Sequence, residues 1–329
     1  MARDIGIDLG TANVLINVSG KGIVLNEPSV VAVDTDKDKV VAVGTEAYKM
    51  VGRTPGNIRV IRPLKNGVIA DFDITEEMLS YFIEKLNVKG FMSKPNILIC
   101  VPTGVTSIEQ KAIIQAAEKS GGGRVYLDFE PKVAAVGAGL DIFKPQGNMV
   151  IDIGGGTTDI AVLSMGEIVT SRSLRWAGDK MNQAIASYIK RSKNLLVGQH
   201  TAEQIKIQLG TAFEADPTKT MTVRGRDMVD GLPKQVAINE LEVQKALEDG
   251  LMSIVAATKE VLEQTPPELS ADIIDRGIML TGGGALLKNI DKLITYYLQV
   301  PVLKADDPLE AVAKGTGVLL KNIENHQRH

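Results

Sequence analysis

The residues best placed to do chemistry lie in two stretches. One is Ile5-Gly6-Ile7-Asp8-Leu9-Gly10-Thr11-Ala12-Asn13. The other is Val150-Ile151-Asp152-Ile153-Gly154-Gly155-Gly156-Thr157-Thr158-Asp159. In each, an apolar run delivers an Asp, and glycine and hydroxyl residues follow. Aligned on the Asp, Asp8-Leu9-Gly10-Thr11 faces Asp152-Ile153-Gly154-Gly155. Each copy reads as a strand, a tight turn and a second strand, with the second strands at Val14 to Val18 and Ile160 to Ser164. The tip of such a hairpin presents backbone N–H groups, which suit an anionic phosphate. Glycine lets the backbone approach a ligand without a Cβ in the way. Neither copy is the phosphate loop ending in Gly-Lys-Ser/Thr, nor the dinucleotide fingerprint, because each turn leads to a strand and not to a helix. One such turn is an ordinary hairpin. Two in corresponding contexts predict two hairpins gripping one polyphosphate from opposite sides.

The elements that position these turns alternate between strand and helix, so the class is α/β with mixed sheets. Pro28 breaks the strand-like run 22–33, and residues 34–74 are punctuated by glycine and proline. That stretch reads as a small, mostly extended insertion with one short helix near 45–51. An acidic first turn at Asp73 opens a helix whose apolar stripe is Met78, Leu79, Phe82, Ile83 and Leu86. Strand Ile97 to Val101 follows, then a helix capped by Thr106-Ser107-Ile108-Glu109 and ending at Lys119. Ile108, Ala112, Ile113 and Ala116 are expected to face the core. Helix 132–140 is small-sided and should pack closely on another helix or a domain interface.

The second half repeats the plan. Strands 160–164 and 168–173 lead to a helix from Ala177 through Lys190. Residues 191–242 form a second insertion with helix 201–208. A long helix spans 242–263 and is stopped by Pro266-Pro267. Strand 277–280 runs into Thr281-Gly282-Gly283-Gly284-Ala285, and helix 286–298 follows.

At 329 residues the chain has room for two domains, each with its own core. A net charge of −3 gives no electrostatic support for nucleic-acid binding. The single Cys100 lies in an apolar run, reads as a buried strand residue, and allows no disulfide within the chain. No run reaches the roughly 18 to 20 apolar residues that span a bilayer, and the N-terminus lacks the apolar core of a signal peptide. A cytoplasmic protein is expected, and lying on a membrane stays open.

Taken together, the hairpins, Leu280 to Ala285 and Ala311 to Gly317 resemble the actin, sugar-kinase and heat-shock-chaperone ATPase superfamily. Asn26-Glu27-Pro28-Ser29-Val30, Ile61-Arg62-Pro63 and Thr265-Pro266-Pro267-Glu268-Leu269 resemble its MreB/Mbl-type bacterial actins, over nearly the whole chain. The resemblance implies an actin-like two-domain fold with duplicated ribonuclease-H-like cores and a nucleotide cleft between them. It divides the chain into a first core (1–32, 75–144, 316–329) with insertion 33–74, and a second core (145–180, 243–315) with insertion 181–242. ATP and Mg²⁺ would occupy the cleft. Thr11, Ala12 and Asn13 would line the phosphates from one side, and Gly154, Gly155, Gly156 and Thr157 from the other. Glu203, Gln204, Ile205 and Lys206 would flank the adenosine, as would Gly283, Gly284, Ala285 and Leu286. Asp8 and Asp152 would hold Mg²⁺ through its waters, because Mg²⁺ dehydrates reluctantly. Glu130 and Thr157 would orient the attacking water.

The resemblance also places a membrane-binding loop at Phe91 and Met92, between Lys89 and Lys94. Two apolar side chains can dip into a bilayer while the lysines meet anionic headgroups. It makes helix 107–119 the candidate for pairing two protofilaments. Implied partners are further copies of the chain, an anionic membrane surface, the cell-wall elongation machinery and a membrane adaptor such as RodZ, with no nucleic acid. The implied role is an ATPase whose filaments maintain rod cell shape. Three rivals stay open. A small-molecule kinase needs an acceptor pocket, a chaperone needs a peptide-binding domain, and a plasmid-segregation actin needs a DNA adaptor.

Overall fold

The structure is a computed structural model that describes residues 3–88 and 93–326, with side chains described to residue 321. Phe91 and Met92 therefore lie outside the described residues. The first half opens with the meander β1 (Ile5–Leu9), β2 (Asn13–Val18) and β3 (Gly22–Pro28). An insertion follows, made of β4 (Val31–Asp34), β5 (Lys39–Val43), α1 (Thr45–Lys49), β6 (Ile58–Ile61), β7 (Leu64–Lys65) and β8 (Val68–Ile69). The half ends with α2 (Phe72–Lys85), β9 (Ile97–Val101), α3 (Ser107–Lys119), β10 (Val125–Phe129) and α4 (Glu130–Gly137).

The second half repeats the opening with β11 (Asn148–Ile153), β12 (Thr158–Ser164) and β13 (Glu167–Leu174). Its insertion region holds α5 (Gly178–Lys193), β14 (Leu195–Leu196), α6 (Gln199–Leu209), β15 (Thr220–Asp227) and β16 (Pro233–Asn239). The chain returns through α7 (Glu240–Glu263), α8 (Pro267–Arg276), β17 (Ile278–Thr281), α9 (Ile290–Leu298), β18 (Val302–Lys304) and α10 (Ala311–His326).

The two large sheets have the same order. One runs β10-β9-β1-β2-β3 and the other β18-β17-β11-β12-β13. In both, an antiparallel meander is joined edge-on by parallel strands. The central strands carry apolar residues on both faces because helices cover both. β9 is buried at every position, Cys100 included, and reads as a continuous apolar run for that reason.

Local chemistry sets the helix ends. Asp71 caps α2 by accepting from the Ile74 N–H, so the helix starts earlier than its acidic turn suggests. Met78, Leu79, Phe82 and Ile83 are wholly buried. Thr106 and Glu109 form the reciprocal capping box of α3. On that helix Ile113 and Ala116 are buried as expected, whereas Ile108 is 78 % exposed. Ile108 sits in the first turn of α3, on the side opposite the packing against α2 and β10.

Three expectations are corrected. α4 begins at Glu130, not 132, because proline is tolerated in the first helical turn. The Pro266-Pro267 pair ends α7 but also starts α8, for the same reason. The segment read as one helix over 286–298 is a 3-10 turn, Gly283–Leu286, and then α9. Asn289 between them is left-handed, with φ 60°. Its side chain donates to the Phe213 carbonyl, and the Ala212 N–H donates to the Lys288 carbonyl. Tertiary pairing there outweighs helix propensity.

A small core joins the halves. Leu98, Val133, Ala134, Val150, Leu163, Val312 and Leu320 pack together around α4 and α10. These helices touch through glycine: a Cβ on Gly137 would sit 1.7 Å from the Ala311 carbonyl oxygen, and one on Gly315 would sit 1.9 Å from that of Val133. Neither backbone can move without shifting a whole half. Gly137→Ala should therefore lower stability by about 1–3 kcal/mol. A urea denaturation midpoint equal to wild type would refute this account of the contact.

Candidate functional site

The two glycine hairpins meet face to face. β1 and β2 carry one at residues 10–12, and β11 and β12 carry the other at 154–157. The approach is so close that a Cβ on Gly155 would lie 2.6 Å from the Ala12 Cβ. A Cβ on Gly156 would lie 2.3 Å from Thr11 Oγ1. Only glycine permits this spacing. Thr11 Oγ1 also accepts from the Gly67 N–H at 2.9 Å, which draws the β7–β8 turn over the site. The second hairpin is closed by the Gly154 N–H donating to the Thr157 carbonyl at 2.9 Å. It is tied to α5 by the Asp179 N–H donating to the Gly155 carbonyl at 2.8 Å.

Between the hairpins lies a cavity of about 440 Å³. Its wall includes Asp8, Thr11, Ala12 and Asn13 from the first half. Asp152, Gly154, Gly155, Gly156 and Thr157 face them, and Glu130 closes the floor. α6 contributes Glu203, Lys206, Ile207 and Gly210, and the 3-10 turn contributes Gly283, Gly284 and Leu286.

Three residues expected here are elsewhere. Ile205 and Ala285 belong to the hydrophobic core. Gln204 is not on the wall and accepts from Gln208 one turn along the helix. Four consecutive helical residues cannot all face one cleft, and the wall takes positions 203, 206, 207 and 210. That spacing was the available signal for Ile207 and Gly210. Asp179, Lys288 and Leu309 also line the cavity, and no local pattern marks them. Tyr48 of α1 donates its hydroxyl to Glu203 across the mouth.

The electrostatics are one-sided. Burial, and then the neighbouring Asp152, push Asp8 up to about 7. Burial and the charge of Asp159 push Asp152 up to about 6, against the Thr281 hydroxyl that donates to its Oδ1 at 2.7 Å. Glu130 is raised well above the usual carboxylate range by burial and then by Asp159, Asp152 and Asp8. Lys206 lines the same cavity, is held below the usual lysine range by burial, and donates to the Gly178 carbonyl. Like charges so placed fit a cation between them. Among the described residues no group of three or more ligands could hold a metal alone. Two carboxylates with room for water and phosphate oxygens are the usual donor set for Mg²⁺, so Asp8 and Asp152 fit that ion.

Duplicated sheets with facing glycine hairpins and a cavity between them define an α/β protein of actin-like fold. The model of the family described as "MreB/Mbl protein" matches residues 2–328. The cell shape-determining protein Mbl of Bacillus subtilis (strain 168) is 64% identical over 323 residues, 98% of this chain and 97% of that protein. The crystal structure of MreB5 of Spiroplasma citri bound to ADP superposes with a TM-score of 0.95 at 41% identity, covering 100% of this chain and 99% of that one. The same protein bound to AMPPNP gives a TM-score of 0.95 at 40% identity, with 100% and 98% covered. The chain belongs to the MreB/Mbl family.

Among the described residues, Thr281 is the only side chain that hydrogen-bonds to Asp152. Thr281→Val is expected to cost about 1–3 kcal/mol, because it leaves a buried acceptor unpaired. Wild-type stability to urea in that variant would contradict this role.

Proposed function

We propose that this chain binds ATP with Mg²⁺ in the cleft, hydrolyses it, and assembles into membrane-associated filaments that determine cell shape. The observation that carries the reading is the pair of facing hairpins with Asp8 and Asp152 at their roots. The hairpin N–H groups would cradle the phosphates, and Asp8 and Asp152 would hold Mg²⁺ through its waters. Bound there, Mg²⁺ would neutralise phosphate charge. The wall formed by α6 and the 3-10 turn would take the nucleoside. Nucleotides bound to MreB5 support ATP as the ligand.

Hydrolysis would ask mainly for positioning. Glu130 sits on the cavity floor with its affinity for a proton raised, as suits a group that accepts one from water. Thr157, on the opposing hairpin, would fix that water from the second side. Turnover of the nucleotide would time filament disassembly. Phe91 and Met92 would enter an anionic bilayer, each pair contributing only a few kcal/mol, so many copies in a filament would have to act together. The filament would then link the membrane to wall-synthesis machinery and an adaptor such as RodZ. We also propose the four-way division into cores and insertions, supported by the separate three-stranded sheets β5-β4-β6 and β14-β15-β16. A cytoplasmic location, on the inner face of the membrane, completes the reading.

Glu130→Gln should keep ATP binding and lower phosphate release by about 100-fold or more, and chelation of Mg²⁺ should abolish release in the wild type. Release by Glu130→Gln at the wild-type rate would remove Glu130 from the chemistry. Separately, Phe91→Ser with Met92→Ser should abolish pelleting with anionic liposomes while ATP binding is kept. Pelleting that persists would sink the membrane role of that loop.

A further inference from the structure

The duplication supplies an internal control for one residue that the reading above leaves unused. Across the second sheet, Thr281, Asp152, Asp159 and Ser173 stand in register on four neighbouring strands. The equivalent row in the first sheet is Cys100, Asp8, Leu15 and Asn26. Asp8 matches Asp152, and Leu15 matches Asp159. Both Leu15 and Asp159 are buried, at 4% and 0% exposure. The fold therefore accepts a hydrocarbon at this position, yet the second half places a carboxylate there. A buried carboxylate is costly unless its oxygens are satisfied, so the position calls for a reason.

The surroundings supply one. Asp159 Oδ1 accepts from the Thr103 N–H and from the Thr103 hydroxyl, both at 2.8 Å. Thr103 follows β9, so these bonds cross from one half to the other. Asp159 Oδ2 is buried and has no hydrogen-bond partner among the described residues. Burial holds Asp159 above the usual carboxylate range, and the hydroxyls of Thr103, Ser173 and Thr157 beside it work in the opposite direction. Thr157 also borders the loop that Thr103 belongs to: a Cβ on Gly67 would lie 2.4 Å from Pro102 and 3.1 Å from the Thr157 methyl.

We propose that Asp159 is a positioning residue that fixes the direction of the Thr157 hydroxyl; this deepens the hydrolytic reading and rests on it. A hydroxyl carries one proton and two acceptor sites. With its proton given to Asp159, Thr157 presents only acceptor sites to the cavity. A water there must donate to Thr157 with one hydrogen and to Glu130 with the other. Its lone pair is then left for phosphorus. In the attack, the water oxygen bonds to the γ-phosphorus, the bond to the ADP oxygen breaks with its electron pair, and the water proton passes to Glu130. The Thr103 bonds hold Asp159 in place and make the alignment depend on closure of the two halves.

The test is a double-mutant cycle on the full chain with ATP and Mg²⁺, following phosphate release, ATP affinity and melting temperature. Asp159→Asn keeps an acceptor for Thr103 but turns an NH₂ toward Thr157, which reverses the hydroxyl. Phosphate release at saturating ATP should fall by about 10- to 100-fold, as for other outer-shell groups, with affinity and melting temperature near wild type. Adding Asp159→Asn to Thr157→Ala should cost nothing further, because the two act through one hydroxyl. Asp159→Glu should recover part of the rate. An undiminished rate in Asp159→Asn, or losses that add fully to those of Thr157→Ala, overturns the inference while leaving hydrolysis intact. If Asp159→Asn does not fold, Thr103→Val serves instead. It keeps the carboxylate and should slow release by less than Thr157→Ala does, and an equal loss would mean that the interdomain clasp, not Thr157, carries the effect. A wild-type chain that releases no phosphate fails the hydrolytic reading itself, and the inference with it.

Discussion

The burial of four carboxylates, with the charge of neighbouring carboxylates added to it, is the constraint on which the site depends. Asp8 and Asp152 stand at the inner ends of β1 and β11, and Asp159 and Glu130 lie close behind them. Burial raises the proton affinity of all four; Asp152 adds to that of Asp8, Asp159 to that of Asp152, and all three to that of Glu130. Asp8, Asp152 and Asp159 are held there because each sits in a central strand paired on both sides, and Glu130 is held by the start of α4. The cleft between the halves thus concentrates buried carboxylates at the ends of two sheets, and a cation is what such a site would fit. Binding would relieve repulsion and bridge the halves at once, so ligand and closure are coupled by the same charges.

The second constraint is steric. α4 and α10 approach through Gly137 and Gly315 until backbone meets backbone. The hairpins approach through Gly155 and Gly156 until each touches Ala12 or Thr11. One contact lies under the cleft and the other lies across it. Between them sits the small shared core around Val133, Val150 and Val312. A packed contact of this kind tolerates little continuous deformation. Movement of one half on the other would be a pivot about the helices, read out at the hairpins. Tyr48 and Glu203 join the two insertion regions through one hydrogen bond.

Much of this was legible in the sequence, for identifiable reasons. The hairpins carry their conformation in their own residues, and the capping box of α3 is complete within four positions. The apolar stripe of α2 repeats at helical spacing; Met78, Leu79, Phe82 and Ile83 are wholly buried, and Leu86 at its end is partly so. What failed depended on distant partners. The break at Asn289 is set by Phe213 and Ala212, more than seventy residues away. Ile108 looks like a core residue until the packing of α3 against α2 and β10 is known. Gln204, Ile205 and Ala285 were placed at the cavity by position in a motif, whereas helical geometry decides which of α6's side chains face it. Motif position names a segment; the period of its secondary structure selects the residues.

The duplication explains why two similar hairpins need not do the same work. Asp8 and Asp152 are equivalent, and the symmetry between the halves holds along their strands. It breaks at the next strand, where Leu15 faces Asp159, and at the preceding one, where Cys100 faces Thr281. In both places the second half is polar where the first is not. Thr281 and Thr103 donate to carboxylates of the second sheet, and none of the described hydrogen bonds gives Asp8 a comparable donor. Asp8 is accordingly the higher of the pair in proton affinity. The first half therefore offers a bare charge and the second a charge oriented by hydroxyls. Under the proposed function, a site that would both hold a cation and aim a water would use that asymmetry. The fold obtains it by changing two side chains in a register the backbone keeps constant.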